Sequence, residues 1–292
     1  MPSLFYKRQV QLNDAYRDTI AALAFSEDGT HLASASLEGR LCIWSVSASE
    51  ARFVICGDVG FLSVVWINEQ TLLAGMQDGL LMYVNFTGAN LLRATGWEAH
   101  IHPVERLGLC DTKLASGAHS QVFIWRVDTS GKQCTQRREL DSPPKAGASW
   151  ELPVIVTGLH WAPSINPNAL IVSYKDHNTM DSQWGVQGNV PCILLYVSRS
   201  QTASLRYSSL SPDHALLVVP NLTTGFEIWD TGLNTPVRKL IHEDTESRLF
   251  RPVNFIHRGH AVVGGIAPGW AGIWDLKTER FIHGLEHPGQ SF

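Results

Sequence analysis

Apolar and polar positions alternate over short stretches of the chain, and the clearest example runs from Thr19 to Val46. Three apolar runs, Thr19–Phe25, His31–Ser36 and Leu41–Val46, are separated by polar, glycine-containing segments. Because strands of this length joined by tight turns form antiparallel meanders, the stretch predicts one three-stranded unit of sheet. Both faces of that sheet are apolar, so the unit needs neighbours of its own kind.

The same pattern returns along the chain, at residues 70–86, 112–127, 215–230 and 261–276. Each copy carries a marker aromatic at a matching place in its third strand, at Trp44, Tyr83, Trp125, Trp229 and Trp274. Neighbouring markers lie about 40 to 45 residues apart, which is the repeat length of propeller blades. The longer interval between Trp125 and Trp229 leaves room for one further copy.

The repeats resemble those of the WD-repeat β-propeller family. Ile228-Trp229-Asp230 and Ile273-Trp274-Asp275 are similar to the motif that closes a WD repeat, and Leu32–Ser36 and Leu114–Gly117 to its second strand. Ser26–Thr30 resembles its first turn. The resemblance implies an all-β propeller, but it implies function only loosely, because one fold supports many functions.

On this basis the sequence predicts a single WD-repeat propeller domain over residues 1–292, with six recognisable blades. The blades are expected near residues 18–57, 60–95, 102–140, 152–200, 203–242 and 250–285. In the family, a strand such as 5–12 joins the last blade and closes the ring. Two arrangements remain open, an incomplete seven-bladed ring and a closed six-bladed ring.

Two segments carry local expectations. The resemblance makes His100 the loop histidine of the third blade, which hydrogen-bonds Ser116 and packs near Trp125 in a three-residue network. The family's usual Asp is missing, because Ala118-His119-Ser120 stands there. Residues 176–189 are too long for a tight turn. They are either a binding insertion or a divergent segment.

Composition narrows the classes of function. The chain is 44% hydrophobic and 17% charged, with a net charge of −4, which argues against general binding of nucleic acid or anionic membranes. No apolar run has the length of a signal peptide or of a membrane span. The five Cys are widely spaced, which favours reduced thiols and an intracellular location, in the cytoplasm or nucleus.

The sequence offers little for catalysis. No phosphate-binding loop, HExxH or GxSxG pattern occurs, and the paired histidines do not make a metal site, so the chain is predicted to be no enzyme and to hold no cofactor or metal. Trp44, Tyr83, Trp125, Trp229 and Trp274 are predicted to be structural residues of the repeats. Asp230 and Asp275 are predicted to be acceptors at strand ends.

The leading hypothesis is a non-catalytic scaffold whose loops bind proteins or peptides. Candidate contact residues lie in the loops that lead into inner strands: Tyr16, Arg17, Phe61, Trp97, His100, His102, Trp150 and Arg251. Two alternatives are a propeller-type hydrolase with a central pocket and the sensor fragment of a larger nucleotide-switch protein. The oligomeric state and the partner's identity are left open.

Overall fold

The computed structural model describes residues 6, 10, 12, 16–88, 91–128, 134–140, 155–175, 192–195, 207–221, 225–232, 236–241 and 252–286, of which 91, 134–137, 174–175 and 192–195 are described for the backbone alone. The chain divides into two compact units. The N-terminal unit comprises residues 8–142, and the C-terminal unit comprises residues 1–7 and 143–292.

The N-terminal unit contains three four-stranded antiparallel sheets, each a simple meander. Sheet 1 consists of β1 (Ile20–Phe25), β2 (His31–Ser36), β3 (Arg40–Ser45) and β4 (Glu50–Cys56). Sheet 2 consists of β5 (Phe61–Asn68), β6 (Thr71–Met76), β7 (Leu80–Thr87) and β8 (Leu91–Glu98). Sheet 3 consists of β9 (Arg106–Cys110), β10 (Lys113–Ala118), β11 (Gln121–Val127) and β12 (Cys134–Glu139).

The C-terminal unit contains one three-stranded and two four-stranded sheets in its described part. Sheet 4 consists of β13 (Ile155–Trp161), β14 (Leu170–Lys175) and β15 (Cys192–Leu195). Sheet 5 consists of β16 (Ser209–Leu210), β17 (Leu216–Asn221), β18 (Gly225–Asp230) and β19 (Pro236–Ile241). Sheet 6 consists of β20 (Val253–Ile256), β21 (Ala261–Ala267), β22 (Trp270–Asp275) and β23 (Phe281–Glu286), with a 3₁₀ turn at His257–Gly259 after β20.

Within each unit, the sheets follow one another as the blades of a β-propeller do. In the N-terminal unit, the first strand of sheet 2, β5, contacts both β1 and β9. In the C-terminal unit, β16 contacts β13 and β20 in the same way. The described part of the chain is therefore all-β, with a propeller-type arrangement in which five sheets have the complete four-stranded form of a blade. The WD-repeat type and the predicted total of six or seven blades are not established by this arrangement.

Side-chain size sets how closely the blades approach. Sheet 1 turns Ala33, Ala35 and Ile43 toward sheet 2, where they pack with Leu72 and Val84 in one buried cluster. Small residues on the first sheet leave room for the larger ones on the second, so the two faces interdigitate. The opposite face of sheet 1 is partly covered, since Leu12 and Tyr16 pack against Cys42 and Trp44, while Leu23 and Phe25 are exposed.

The C-terminal unit repeats this fit between small and large residues. Phe226 of sheet 5 packs edge-on against Trp274 of sheet 6, with ring centroids 5.3 Å apart. A Cβ atom at Gly264 would overlap the Phe226 ring, so glycine at this position admits the ring. This contact lies in a buried cluster that joins sheets 5 and 6.

The position of one marker aromatic was predicted wrongly by one residue. Leu32 pairs with Trp44 in sheet 1, whereas the corresponding Leu72 in sheet 2 pairs with Val84. Val84 thus occupies the place of Trp44, and Tyr83 lies on the opposite face, packed with the cluster between sheets 2 and 3. A shift of one residue changes the face, because side chains of a strand alternate.

Sheet 4 departs from the repeat. Its third strand, β15, runs parallel to β14, whereas a meander needs an antiparallel third strand. A parallel neighbour requires a long connection, and residues 176–191, which contain the whole segment 176–189 predicted as an insertion, connect the two strands. Those residues lie outside the described ones, so both interpretations of 176–189 remain predictions.

The predicted ring-closing strand 5–12 is described at three positions, Tyr6, Val10 and Leu12, and none of them is in a strand. Tyr6 nevertheless reaches sheet 6, where its hydroxyl lies 2.6 Å from Nε2 of His257. Its ring also lies against the ring of His283 on β23. The N-terminal residues of the C-terminal unit therefore contact the last sheet through a side chain. Closure of a ring by residues 5–12 stays a prediction.

Candidate protein-interaction site

The loops that precede the first strands of sheets 1–3 meet the tight reversals between second and third strands at one end of the N-terminal unit. We call this surface the loop face, and it consists of residues 16–19, 37–39, 57–60, 77–79, 99–105 and 119–120. Most of the predicted contact residues of this unit belong to it or directly adjoin it. Phe61 and Trp97 are the adjoining ones, since they lie in β5 and β8.

Backbone hydrogen bonds fix the loop face. Gly57 donates its N–H to Gly39 at 2.8 Å, and His100 donates to Gly79 at 3.0 Å. Both acceptor glycines have positive φ, +84° for Gly39 and +89° for Gly79. A Cβ atom at Gly79 would overlap the carbonyl oxygen of His100, so the close approach of loop and reversal requires glycine.

Under the loop face of sheet 3, His100, Ser116 and Trp125 form the predicted three-residue network. The Ser116 hydroxyl accepts a hydrogen bond from Nε1 of Trp125 at 2.8 Å and lies 2.7 Å from Nε2 of His100. The imidazole also stacks on Phe123, with ring centroids 4.4 Å apart. The network is buried, with His100 only 7% exposed, so this part of the sequence analysis is confirmed and the imidazole is held inside the blade.

Sheet 1 builds the same network with a different residue. Nε1 of Trp44 donates to the Ser34 hydroxyl at 2.7 Å, and Tyr16 contacts that hydroxyl and donates to the Ser34 carbonyl at 2.6 Å. Tyr16 thus takes the part that His100 plays in sheet 3. Burial raises the pKa of Tyr16, and burial also raises the pKa of the neighbouring Cys42 thiol. Both groups are therefore neutral hydrogen-bonding members of the core.

The other predicted contact residues differ in accessibility. Arg17 is exposed, and its backbone N–H donates to Oε1 of Glu38. His102 is half-buried and lies against His119, with the two rings tilted and their centroids 4.7 Å apart. Phe61 is fully buried between sheets 1 and 2. Trp97 is half-buried against Trp125. Trp150 and Arg251 lie outside the described residues.

The sequence analysis missed the most accessible apolar residue of the loop face. Ile101 is 84% exposed, although backbone hydrogen bonds from Ala99, His100 and Val104 fix the loop on both sides of it. Leu37, at the reversal of sheet 1, is 42% exposed. The sequence carried no clear signal for Ile101, because Ala99 and Val104 of the same loop are also apolar and yet are buried.

The repeat residues of the C-terminal unit differ from those of sheets 1 and 3 in their hydrogen-bond partners. Trp229 is buried opposite Leu217, and Val219 occupies the position at which sheets 1 and 3 have serine. Among the described residues, no hydroxyl group therefore reaches the indole nitrogen of Trp229. Asp230 accepts from the N–H of Gly232 at 2.8 Å, and Asp275 accepts from the N–H of Thr278 at 2.7 Å. The two aspartates are turn acceptors in this structure.

A separate polar cluster lies between sheets 4 and 5. Nε2 of His160 is 2.9 Å from the Ser208 hydroxyl, which is 3.4 Å from the Ser173 hydroxyl. Thr157 donates to Ser173 at 3.3 Å. A Cβ atom at Gly158 would overlap two of these hydroxyl groups, so the cluster fills the space that the glycine leaves.

The described residues offer little further chemistry. They contain no group of three or more His, Cys, Asp or Glu arranged to hold a metal ion. They also contain no helix with the length and apolarity needed to cross a membrane. A comparison with protein-family models finds no match, and neither does a comparison with curated protein sequences.

Proposed function

We propose that the protein is a non-catalytic interaction scaffold of the WD-repeat type, which binds another protein or a peptide through the loop face of its N-terminal unit. The observation that carries the proposal is a fixed backbone with exposed side chains. The loop around Ile101 is hydrogen-bonded on both sides, yet its isoleucine is 84% exposed. A surface of this kind lowers the entropy that binding must overcome, because its backbone is already ordered.

The chemistry of the loop face favours a peptide with both apolar and polar contacts. Ile101 and Leu37 offer apolar contact, and Arg17 adds an exposed guanidinium. Asp58 and Asp78 are also exposed, so the surface carries both signs of charge. Such a mixture argues against nucleic acid, which selects continuous basic surfaces. We propose an intracellular location on the sequence alone.

The WD-repeat type rests on the two indole–serine networks. Trp44 with Ser34, and Trp125 with Ser116, repeat the same hydrogen bond in two blades of the N-terminal unit. In sheet 3 a loop histidine completes the set, as the sequence resemblance implies. These contacts support the family type, while the tyrosine in sheet 1 and the valine in sheet 5 depart from it.

The first experiment identifies the partner by its position on the surface. A photo-crosslinking amino acid replaces Ile101 in one version of the full chain and Ile165 in the other. Ile165 is a suitable control because it is 44% exposed and lies in the C-terminal unit, outside the loop face. A partner of the loop face should crosslink at position 101 and not at position 165.

The second experiment measures affinity with the purified partner. Combined Ile101→Ser and Arg17→Glu changes should weaken binding at least about tenfold, equivalent to roughly 1.4 kcal/mol, while Ile165→Ser should leave it unchanged. Thermal unfolding of both variants should match the original chain, because the three side chains are exposed. Equal affinity of the double variant and the original chain would remove the loop face from the function.

A further inference from the structure

His31 and Arg52 meet at the outer edge of the contact between sheets 1 and 2. His31 begins β2, and Arg52 lies on β4 with an exposed side chain. Nη1 of Arg52 is 3.0 Å from Nε2 of His31, and its Nη2 donates to the carbonyl of Gly88 at 2.6 Å. The guanidinium carbon lies 5.5 Å from the centroids of both Phe53 and Phe86. The side chain therefore links sheet 1 to the end of β7 in sheet 2.

Hydrogen-bond partners fix the protonation state of His31. An arginine N–H can only donate, so Nε2 of His31 must be the acceptor and carry no proton. On the other side of the ring, Nδ1 is 2.9 Å from the Thr30 hydroxyl, which donates to the Asp28 carboxylate at 2.8 Å. Nδ1 must then be the donor. The observed contacts together need the neutral imidazole with its proton on Nδ1.

The charges around the ring have opposite effects on its proton affinity. Burial is the largest cause that lowers the pKa of His31, and the Arg52 guanidinium adds to it, while the Asp28 carboxylate acts in the other direction. Asp28 is itself hydrogen-bonded to Glu69 of the next sheet, and this contact lowers the pKa of Asp28 and raises that of Glu69.

The remaining neighbours of the imidazole are uncharged rings. Trp66 on β5 has its ring centroid 6.1 Å from that of His31, and Phe86 on β7 has its centroid 5.3 Å away. Neither ring supplies a counter-charge. Among the described residues, Arg52 is thus the cation that an imidazolium at His31 would face.

We propose that the hydrogen bond between His31 and Arg52 is a pH-dependent contact that breaks when His31 is protonated. We call this contact the latch. While His31 is neutral, it holds the guanidinium across the rings of Phe53 and Phe86. When Nε2 takes up a proton, the acceptor for Nη1 is lost and an imidazolium faces a guanidinium. The Arg52 side chain then leaves, and the two phenylalanine rings become accessible.

The direction of the pH effect follows from linkage. The pKa of His31 is lower in the folded chain than its value of about 6.5 in an unfolded chain. As the pH falls below that value, the unfolded chain takes up the proton first. The folded state in which the latch is formed therefore loses stability toward acid. Above it, both states are neutral and the contact is fully formed.

The test uses NMR of the full, isotope-labelled chain between roughly pH 5 and pH 8, the range in which histidines titrate. The ring signal of His31 and the Nε–H signal of Arg52 are assigned from the variants His31→Gln and Arg52→Gln. In the original chain, both signals should change with one common midpoint below about 6.5. Below that midpoint, the Arg52 signal should exchange rapidly with water.

The variants separate a latch from a general acid effect. A glutamine at position 31 offers a carbonyl acceptor at every pH, so the Arg52 signal should no longer depend on pH in His31→Gln. In Arg52→Gln, the midpoint of His31 should rise, because a cation has been removed. His260→Gln, a change at an exposed histidine of the other unit, should leave both signals unchanged. The proposal is overturned if the Arg52 signal stays constant while His31 titrates, or if it changes at the same pH in His31→Gln.

Discussion

At the residue scale, the marker tryptophans share a place in the repeat but not a hydrogen bond. Trp44 and Trp125 each donate to a serine two residues beyond their cross-strand partner. Val219 takes that place opposite Trp229, and Gly264 takes it opposite Trp274. Burial of a large ring therefore defines the marker position. A serine hydroxyl that accepts from the indole is present in sheets 1 and 3, and it is replaced by Val219 and Gly264 in sheets 5 and 6. For this reason, the aromatic spacing is a better guide to the fold than the polar residues are.

The first prediction concerns Ser116. In Ser116→Ala, the indole of Trp125 and the imidazole of His100 lose the hydroxyl that they share while remaining buried. The free energy of unfolding should fall by about 1–3 kcal/mol, the cost of leaving buried polar groups unsatisfied. Chemical denaturation measures it. Ser47→Ala, at an exposed serine, should change the free energy by less than about 0.5 kcal/mol, and equal effects of both changes would contradict the role of the network.

The second prediction concerns acid. Hydrogen bonds from the Ser211 hydroxyl and from the N–H of Ala215 lower the pKa of Asp213 in the turn before β17. Its contribution to stability is thus present above the ordinary pKa of an aspartate and is lost as the pH falls through the lowered value. Asp213→Asn should reduce the loss of stability toward acid. Denaturation at a series of pH values tests this, and an unchanged slope in the variant would contradict it.

At the element scale, most strands could be predicted from the alternation of apolar residues and from glycine-containing turns. The predicted run His31–Ser36 coincides with β2, and the predicted run Thr19–Phe25 contains β1. Two features needed the structure. Tyr83 was predicted at the marker position because it is aromatic, but Val84 occupies that position. The sequence did not reveal this, because valine is equally suited to a buried strand position. The parallel pairing of β15 depends on a distant connection, which local alternation does not reveal.

The third prediction compares two turn glycines of the N-terminal unit. Gly29 and Gly79 both have positive φ, +70° and +89°, but a Cβ atom at Gly29 would meet nothing within 4 Å, whereas one at Gly79 would overlap the His100 carbonyl. Gly29→Ala should cost about 1–2 kcal/mol from backbone conformation alone. Gly79→Ala should cost clearly more, because the loop at His100 must also move. Thermal and chemical denaturation of the two variants give the difference, and equal losses would show that the reversal does not hold the loop.

At the scale of the whole molecule, the sequence located the candidate interaction surface better than it selected the side chains on it. The loops before the inner strands were chosen by position, and the loop face contains Arg17 and His102 as expected. Tyr16 and His100, by contrast, turn inward to hydrogen-bond with serines. Both residues were chosen because their loops lead into inner strands, and His100 was also expected to hydrogen-bond with Ser116; cross-strand distances decide which loop residue reaches the core. Ile101 was missed because exposure is a property of the folded chain.

The last prediction addresses catalysis, since the contact between His160 and Ser208 has the geometry of a base and a nucleophile, with 2.9 Å between Nε2 and the hydroxyl. The same type of contact occurs between His100 and Ser116, where an indole completes it and the whole network is buried. The Ser208 hydroxyl is in contact with the Ser173 hydroxyl, which in turn accepts a hydrogen bond from Thr157. We therefore expect the pair to join sheets 4 and 5 and not to attack a substrate.

A fluorophosphonate probe, which modifies activated serines, tests this expectation. Mass spectrometry should find the full chain unmodified, while a serine hydrolase in the same solution is labelled. Ser208→Ala should lower the free energy of unfolding by about 1 kcal/mol, the typical loss of one hydrogen bond. An adduct on Ser208 that disappears in both Ser208→Ala and His160→Ala would instead establish the hydrolase alternative.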